Sequence, residues 1–251
     1  MRGLWLLAGS VLTVLVLFLT TAGAWALFAD AEAPSERSQS RLAFDGSALT
    51  IDSRSGAVEL EIERGAPGRI TLERTVIWLR DKPAVREKWD GSTLSLGDGC
   101  AEDGECSVHY VVRIPVETDL EATTVGSLRV RELHGDLRLT TESGSIDVDQ
   151  AWGSIWARSA EGSVDLSDLL SDTVDVEVTR GPVTMRFDKA PTSVKAVVKA
   201  GGWLNTWLPL GLSYDVEVEA VETMIDVTRS GDSQRKLSLI NPHGYVQVCC
   251  R

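Results

Sequence analysis

GSLRVRELH, GDLRLTTES, GSIDVDQAW, GSIWARSAE and GSVDLSDLL, which together make up residues 126–170, decide how this chain is read. Glycine opens each block, at Gly126, Gly135, Gly144, Gly153 and Gly162, nine residues apart every time. Self-similarity at a fixed period marks a repeat architecture. The second position is Ser, or Asp136 in the second block, and a Gly–Ser or Gly–Asp pair favours a turn. Positions three and five are apolar: Leu128 and Val130, Leu137 and Leu139, Ile146 and Val148, Ile155 and Ala157, Val164 and Leu166. Successive side chains of a strand point to opposite faces, so each block reads as a short strand with one dry face, followed by a turn. So short a strand cannot bury its dry face alone, and neighbouring blocks must cover it.

Two arrangements satisfy that need. In a parallel β-solenoid, block n stacks on block n+2. In an antiparallel meander, or a sandwich built from one, block n pairs with block n+1. Stacking two blocks apart sets Arg129 over Asp147, Arg131 over Asp149 and Arg138 over Trp156, with strands about 4.8 Å apart. Meander pairing sets Arg129 near Thr140 or Arg138, which has no such logic. The outward residues therefore favour the solenoid, although they also suit a plain solvated face.

The flanks continue the β pattern less strictly. Alternating segments fall near 48–52, 57–62, 68–79, 91–97 and 107–116, and again at 173–180, 182–187 and 192–200. GGWLNTWLPLGL (201–212) breaks the pattern, and its two tryptophans and four leucines suit either a cap over an open end or a partner contact through Trp203 and Trp207. At the end, LSLI and YVQV read as two strands around a Pro-His-Gly turn. No amphipathic helix stands out past residue 43, so the class is all-β.

Residues 3–28 carry no charge and would make a helix of about 39 Å, enough to span a bilayer with tilt. Arg2 precedes the run and Asp30, Glu32 and Glu36 follow it, which places the N-terminus in the cytoplasm and the rest outside. A cleaved signal peptide ending at Ala24-Trp25-Ala26 or Ala29-Asp30-Ala31 is the competing reading, but the run is longer than an ordinary signal core. The expected organisation is an anchor over 1–29, a polar linker over 30–42 and an extracytoplasmic β-repeat domain over 43–251.

The net charge is −12 with no basic cluster, which argues against nucleic acid as a partner. Of four cysteines, Cys100 and Cys106 flank an acidic AEDGE loop and are the disulfide pair to expect, while Cys249 and Cys250 could bridge to them, to each other or to another chain. His109, His134 and His243 are scattered, so no zinc pattern emerges and neither metal nor cofactor is expected. Asp147, Asp149 and Asp165 would share one face and could do glycosidic acid–base work. Repeats are more often scaffolds, and Arg129 and Arg131 can neutralise those acids, so no catalytic residue is assigned. The calcium-binding nonapeptide shares the period but not the glycine positions.

Recurring Gly-Ser/Asp strands behind an anchor-like segment, best seen in GDLRLTTESGSIDVDQAWGSIWARSAEGSVDL, resemble the bacterial putative-adhesin β-strand repeat family, a domain of unknown function. The resemblance covers roughly 43–250. It implies a right-handed β-helix-like domain at the cell envelope and brings no catalytic residues. The function expected is a non-catalytic, single-pass envelope protein for adhesion, scaffolding or envelope sensing, with an envelope glycan or protein as its partner. The alternatives are a polysaccharide-active β-helix enzyme and a scaffold that assembles through its open strand edges.

Overall fold

A computed structural model describes residues 16–18, 20, 33–54, 58–100 and 105–250. The chain divides into two compact units, residues 1–34 and 35–251. In the first, residues 16–18 and 20 are helical, and Thr20 Oγ1 donates to the Val16 carbonyl at 2.9 Å. The rest of the anchor expected over 1–29 lies outside the described residues. Among the described residues no helix is long and apolar enough to cross a membrane.

The second unit is all-β. It opens with β1 (Ser35–Ala43), β2 (Ala48–Ser53), β3 (Val58–Gly65), β4 (Arg69–Trp78), β5 (Glu87–Trp89), β6 (Thr93–Leu96) and β7 (Cys106–Pro115). The repeat region supplies β8 (Asp119–Thr124), β9 (Leu128–Leu133), β10 (Leu137–Thr141), β11 (Ile146–Ala151), β12 (Ile155–Glu161), β13 (Val164–Leu169), β14 (Thr173–Arg180), β15 (Val183–Phe187), β16 (Ser193–Val198) and β17 (Trp203–Leu208). The chain closes with β18 (Ser213–Ile225), β19 (Thr228–Arg229) and β20 (Lys236–Cys250).

Within the repeat region, strands pair in parallel with those two elements away. Leu128, Arg129 and Arg131 of β9 align with Ile146, Asp147 and Asp149 of β11, and Arg138 of β10 aligns with Trp156 of β12. Even-numbered strands from β8 to β16 make one face and odd-numbered strands from β9 to β17 the other. The inward residues form continuous ladders. On the even face, Ile51, Ala122, Leu139, Ala157, Val176, Ala196 and Leu239 alternate large and small and are all fully buried. On the odd face, Ile62, Val130, Val148, Leu166 and Met185 do the same work. Each buried aliphatic side chain contributes about 1.5–3 kcal/mol, so the ladders dominate the stability of the unit.

The nine-residue glycines have a steric reason. A Cβ on Gly144 would lie 2.3 Å from the Gly126 carbonyl carbon, one on Gly162 would lie 2.2 Å from the Gly144 oxygen, and one on Gly181 would lie 2.0 Å from the Gly162 oxygen. Gly135 and Gly153 form a second column at the opposite corner. Successive tiers thus touch backbone to backbone at their corners, where no side chain fits. The first column continues through Gly202 to Gly244, although the spacing in sequence has lengthened from eighteen residues. A third corner turns without glycine. Glu132, Gln150 and Asp168 have φ of 55°, 56° and 50°, and that left-handed step points Leu133, Ala151 and Leu169 into the core.

Both ends break the order of the chain. β2 pairs with β6 and β8, and β3 with β7 and β9, so β6 and β7 lie outside the tier that precedes them in sequence. β4 runs antiparallel to both β7 and β1. At the other end β20 inserts between β18 and the pair β16 and β17.

Several expectations need correction. The linker expected over 30–42 is already β1 from Ser35, joined along its whole length to β4. Residues 201–212 do not interrupt the stack: Leu204, Thr206 and Leu208 of β17 point inward and are fully buried, with Trp203 and Trp207 on the outer side. LSLI and YVQV belong to one strand, β20, because the buried Asn241 amide donates to the carbonyls of Gly202 (3.1 Å) and Tyr245 (3.2 Å) and carries the strand round the corner.

Candidate functional site

The even face holds a groove of about 520 Å³, crossing β2, β8, β10, β12 and β14. Its polar lining comes from the outward positions of successive tiers: Asp119 and Glu121, Asp136 and Arg138, Ser154 and Trp156, then Asp175. Parallel registry sets Glu121, Arg138, Trp156 and Asp175 in one row across four strands. The Arg138 guanidinium lies over the Trp156 ring at 4.5 Å and that of Arg158 at 4.1 Å. Arg158 is itself held by Asp175, at 2.9 Å. The indole is thereby fixed by two cations, each contact worth about 0.5–2 kcal/mol.

Two of the acids are anchored by backbone. Asp119 Oδ1 accepts from the Asp136 amide at 2.9 Å, and Asp136 Oδ1 accepts from the Ser154 amide at 2.7 Å. The one block that has Asp instead of Ser at its second position thus ties its turn to the turn two blocks on. Farther along the same face, a hydrogen bond from Lys199 lowers the Glu177 carboxyl below its usual range, and the charges of Lys199 and Arg158 act in the same direction. The groove therefore offers carboxylate acceptors, one guanidinium fork and an aromatic surface on a rigid β support.

The acids singled out from the sequence lie on the odd face. Asp147 and Asp165 are in register on adjacent strands, with Asp149 beside Ser167. Arg129 reaches Asp147 at 3.9 Å and Arg186 holds Asp165 at 2.9 Å, while Ser167 Oγ donates to Asp149 at 3.2 Å. Arg131, expected over Asp149, is aligned with it but places its guanidinium on Glu61 at 2.7 Å. The three acids are thus brought together, Asp147 and Asp165 each beside an arginine and Asp149 beside a hydroxyl. Trp203 is half exposed, and Trp207 lies under the Arg186 guanidinium at 5.2 Å. Neither tryptophan reaches the groove. Cys100 and Cys106 are joined as a disulfide, with Cα atoms 5.8 Å apart. Cys249 and Cys250 are free thiols and lie with Asp226 in a cluster of metal-ligating groups, which sequence spacing did not suggest.

The Arg138–Trp156 contact was legible from the repeat; the groove around it was not. Asp119 and Glu121 come from β8 and Asp175 from β14, and only the stacking register aligns them.

No protein-family model and no curated protein matches the chain. Among solved structures, a protein of Bacteroides fragilis described as a putative adhesin is similar at a TM-score of 0.50 and 12% identity, over 86% of this chain and 96% of that one. A putative adhesin of Parabacteroides merdae reaches 0.47 at 12% identity, over 84% of this chain and 96% of the other. A putative cell adhesion protein of Clostridium sporogenes reaches 0.36 at 10% identity, over 87% and 100%. At such identities the first of these likenesses speaks to the fold alone.

Proposed function

We propose that the protein is a non-catalytic adhesion-type protein of the cell envelope, and that its even face binds a surface glycan in the groove around Trp156. The observation that carries this reading is the row Glu121, Arg138, Trp156 and Asp175 lining a groove of about 520 Å³. Carboxylates and a guanidinium suit the hydroxyls of a sugar, and an indole suits its apolar face. The fold shared with the Bacteroides fragilis protein, described as a putative adhesin, agrees with a binding role. The β unit is read as a right-handed parallel β-solenoid. Parallel registers two elements apart and the glycine columns support this reading, and the hand follows the general preference of parallel crossovers. Residues 1–29 are read as a single-pass anchor with a cytoplasmic N-terminus, on the strength of the uncharged run at 3–28.

Titration of the chain with envelope polysaccharide fragments, followed by tryptophan fluorescence, tests the groove. Binding should weaken at least tenfold in Trp156→Ala and in Glu121→Gln, and remain unchanged in Trp203→Ala. Equal binding by Trp156→Ala and the wild type would remove the groove from the function. Release of reducing ends that stops in an Asp147→Asn/Asp149→Asn variant would replace the binding role with an enzymatic one.

A further inference from the structure

β20 ends in two thiols. Cys249 aligns with Trp207 and Cys250 with Leu208 of β17, and both are half-buried. On the other side of β20, Ile225 of β18 aligns with Val248, and the Asp226 amide donates to the Val248 carbonyl at 2.8 Å. That bond brings the Asp226 carboxylate beside the thiols. Its oxygen and the two Sγ atoms all lie within 4.8 Å of one another.

This spacing suits a shared cation. Tetrahedral Zn²⁺ takes thiolate sulfur at about 2.3 Å and carboxylate oxygen at about 2.0–2.2 Å, which places two sulfur ligands roughly 3.8 Å apart. Two soft thiolates and one carboxylate make a donor set that zinc accepts and that calcium and magnesium do not favour. A cavity of about 360 Å³ adjoins the cluster, with Asp226 and Cys250 in its wall and Pro209, Leu212, Ile225 and Val227 around them. The cavity leaves room for a fourth ligand.

We propose that Asp226, Cys249 and Cys250 form a three-ligand site for one Zn²⁺-class cation, with a fourth position open toward the cavity. On binding, each thiol gives its proton to solvent and its sulfur bonds the metal as a thiolate, with no change of oxidation state. The site locks the end of β20 to the end of β18.

The full chain, reduced and held in detergent micelles without oxygen, can be titrated with Co²⁺ as a spectroscopic probe. The expected result is near-ultraviolet thiolate-to-cobalt absorption that saturates at one Co²⁺ per chain and is displaced by Zn²⁺. Cys249→Ser and Cys250→Ser should each abolish it, and Asp226→Asn should weaken Co²⁺ binding at least tenfold. Zn²⁺ should raise the melting temperature of the wild type but not of the doubly substituted chain. The site is refuted if Cys249 and Cys250 both react with a thiol reagent while no cobalt band appears. It is equally refuted if Cys249 and Cys250 are isolated as a disulfide whose reduction restores no metal binding. Asp226 is exposed and its substitution should leave the fold intact, so an Asp226→Asn titration identical to the wild type also overturns the three-ligand site.

Discussion

The middle of the β unit and its two ends solve one problem in different ways. From β8 to β15 the chain moves forward one strand at a time, and each strand finds its partners two elements away. Contact there is made by repetition: alternating aliphatic ladders inside and bare glycine backbone at the corners. At the ends repetition stops, and an outermost strand would leave an edge exposed. The chain doubles back instead. β6 and β7 settle outside β2 and β3, and β20 slides between β18 and the last regular tier. A corner that glycine forms in the middle needs Asn241 as well at the C-terminal end, with its side-chain amide bonded to two backbone carbonyls. The lesson is that a repeat can specify its own interior but not its boundaries, which need individual polar contacts.

Substitutions at matched positions break or sharpen this contrast. The largest effect is expected at Gly181, whose added Cβ would meet backbone at 2.0 Å and whose φ is 144°. Gly181→Ala should cost roughly 3 kcal/mol or more in urea unfolding, because two tiers must separate. Gly231→Ala, where nothing lies within 4 Å, should stay within about 0.5 kcal/mol. Equal costs at the two sites would refute the steric role of the columns. Asn241→Ala should cost about 2 kcal/mol, because the carbonyls of Gly202 and Tyr245 lose their shared donor at a buried corner. The smallest effect has the opposite sign. Thr206 stands on the odd-face ladder between Met185 and Val248, fully buried, and its Oγ1 has no hydrogen-bond partner among the described residues. Thr206→Val should raise stability by about 1 kcal/mol, read as a higher urea midpoint with an unchanged slope.

How much was legible varies along the chain for physical reasons. Alternation is a local signal, so the strands from 126 to 187 could be read residue by residue, and so could the pairing of Arg129 with Asp147. Past the last nine-residue block the β pattern is less strict. What changes there is length added between the glycines of a column that itself continues to Gly244. Trp203 and Trp207 drew attention because two large aromatics in a Gly- and Pro-bounded stretch look irregular. They are outward residues of an ordinary strand whose leucines fill the core. β1 looked like linker because Ser35–Ala43 is polar, and a strand bonded through its backbone to β4 needs few apolar side chains. The groove and the thiol cluster were out of reach, since each joins residues from strands that are distant in sequence.

What the sequence by itself determined is the all-β character, the nine-residue beat and the side of each strand that turns inward, because these follow from side-chain alternation and from the spacing of glycine. The outward residues favoured parallel pairing two blocks apart over a meander, but only the tertiary structure decided between them, and it alone decided that both ends reverse the order of the chain and that Trp156 meets Asp175 while Asp226 meets Cys249 and Cys250. Those pairings depend on which backbone edge meets which, and that is settled when whole strands dock rather than by any stretch of the chain alone.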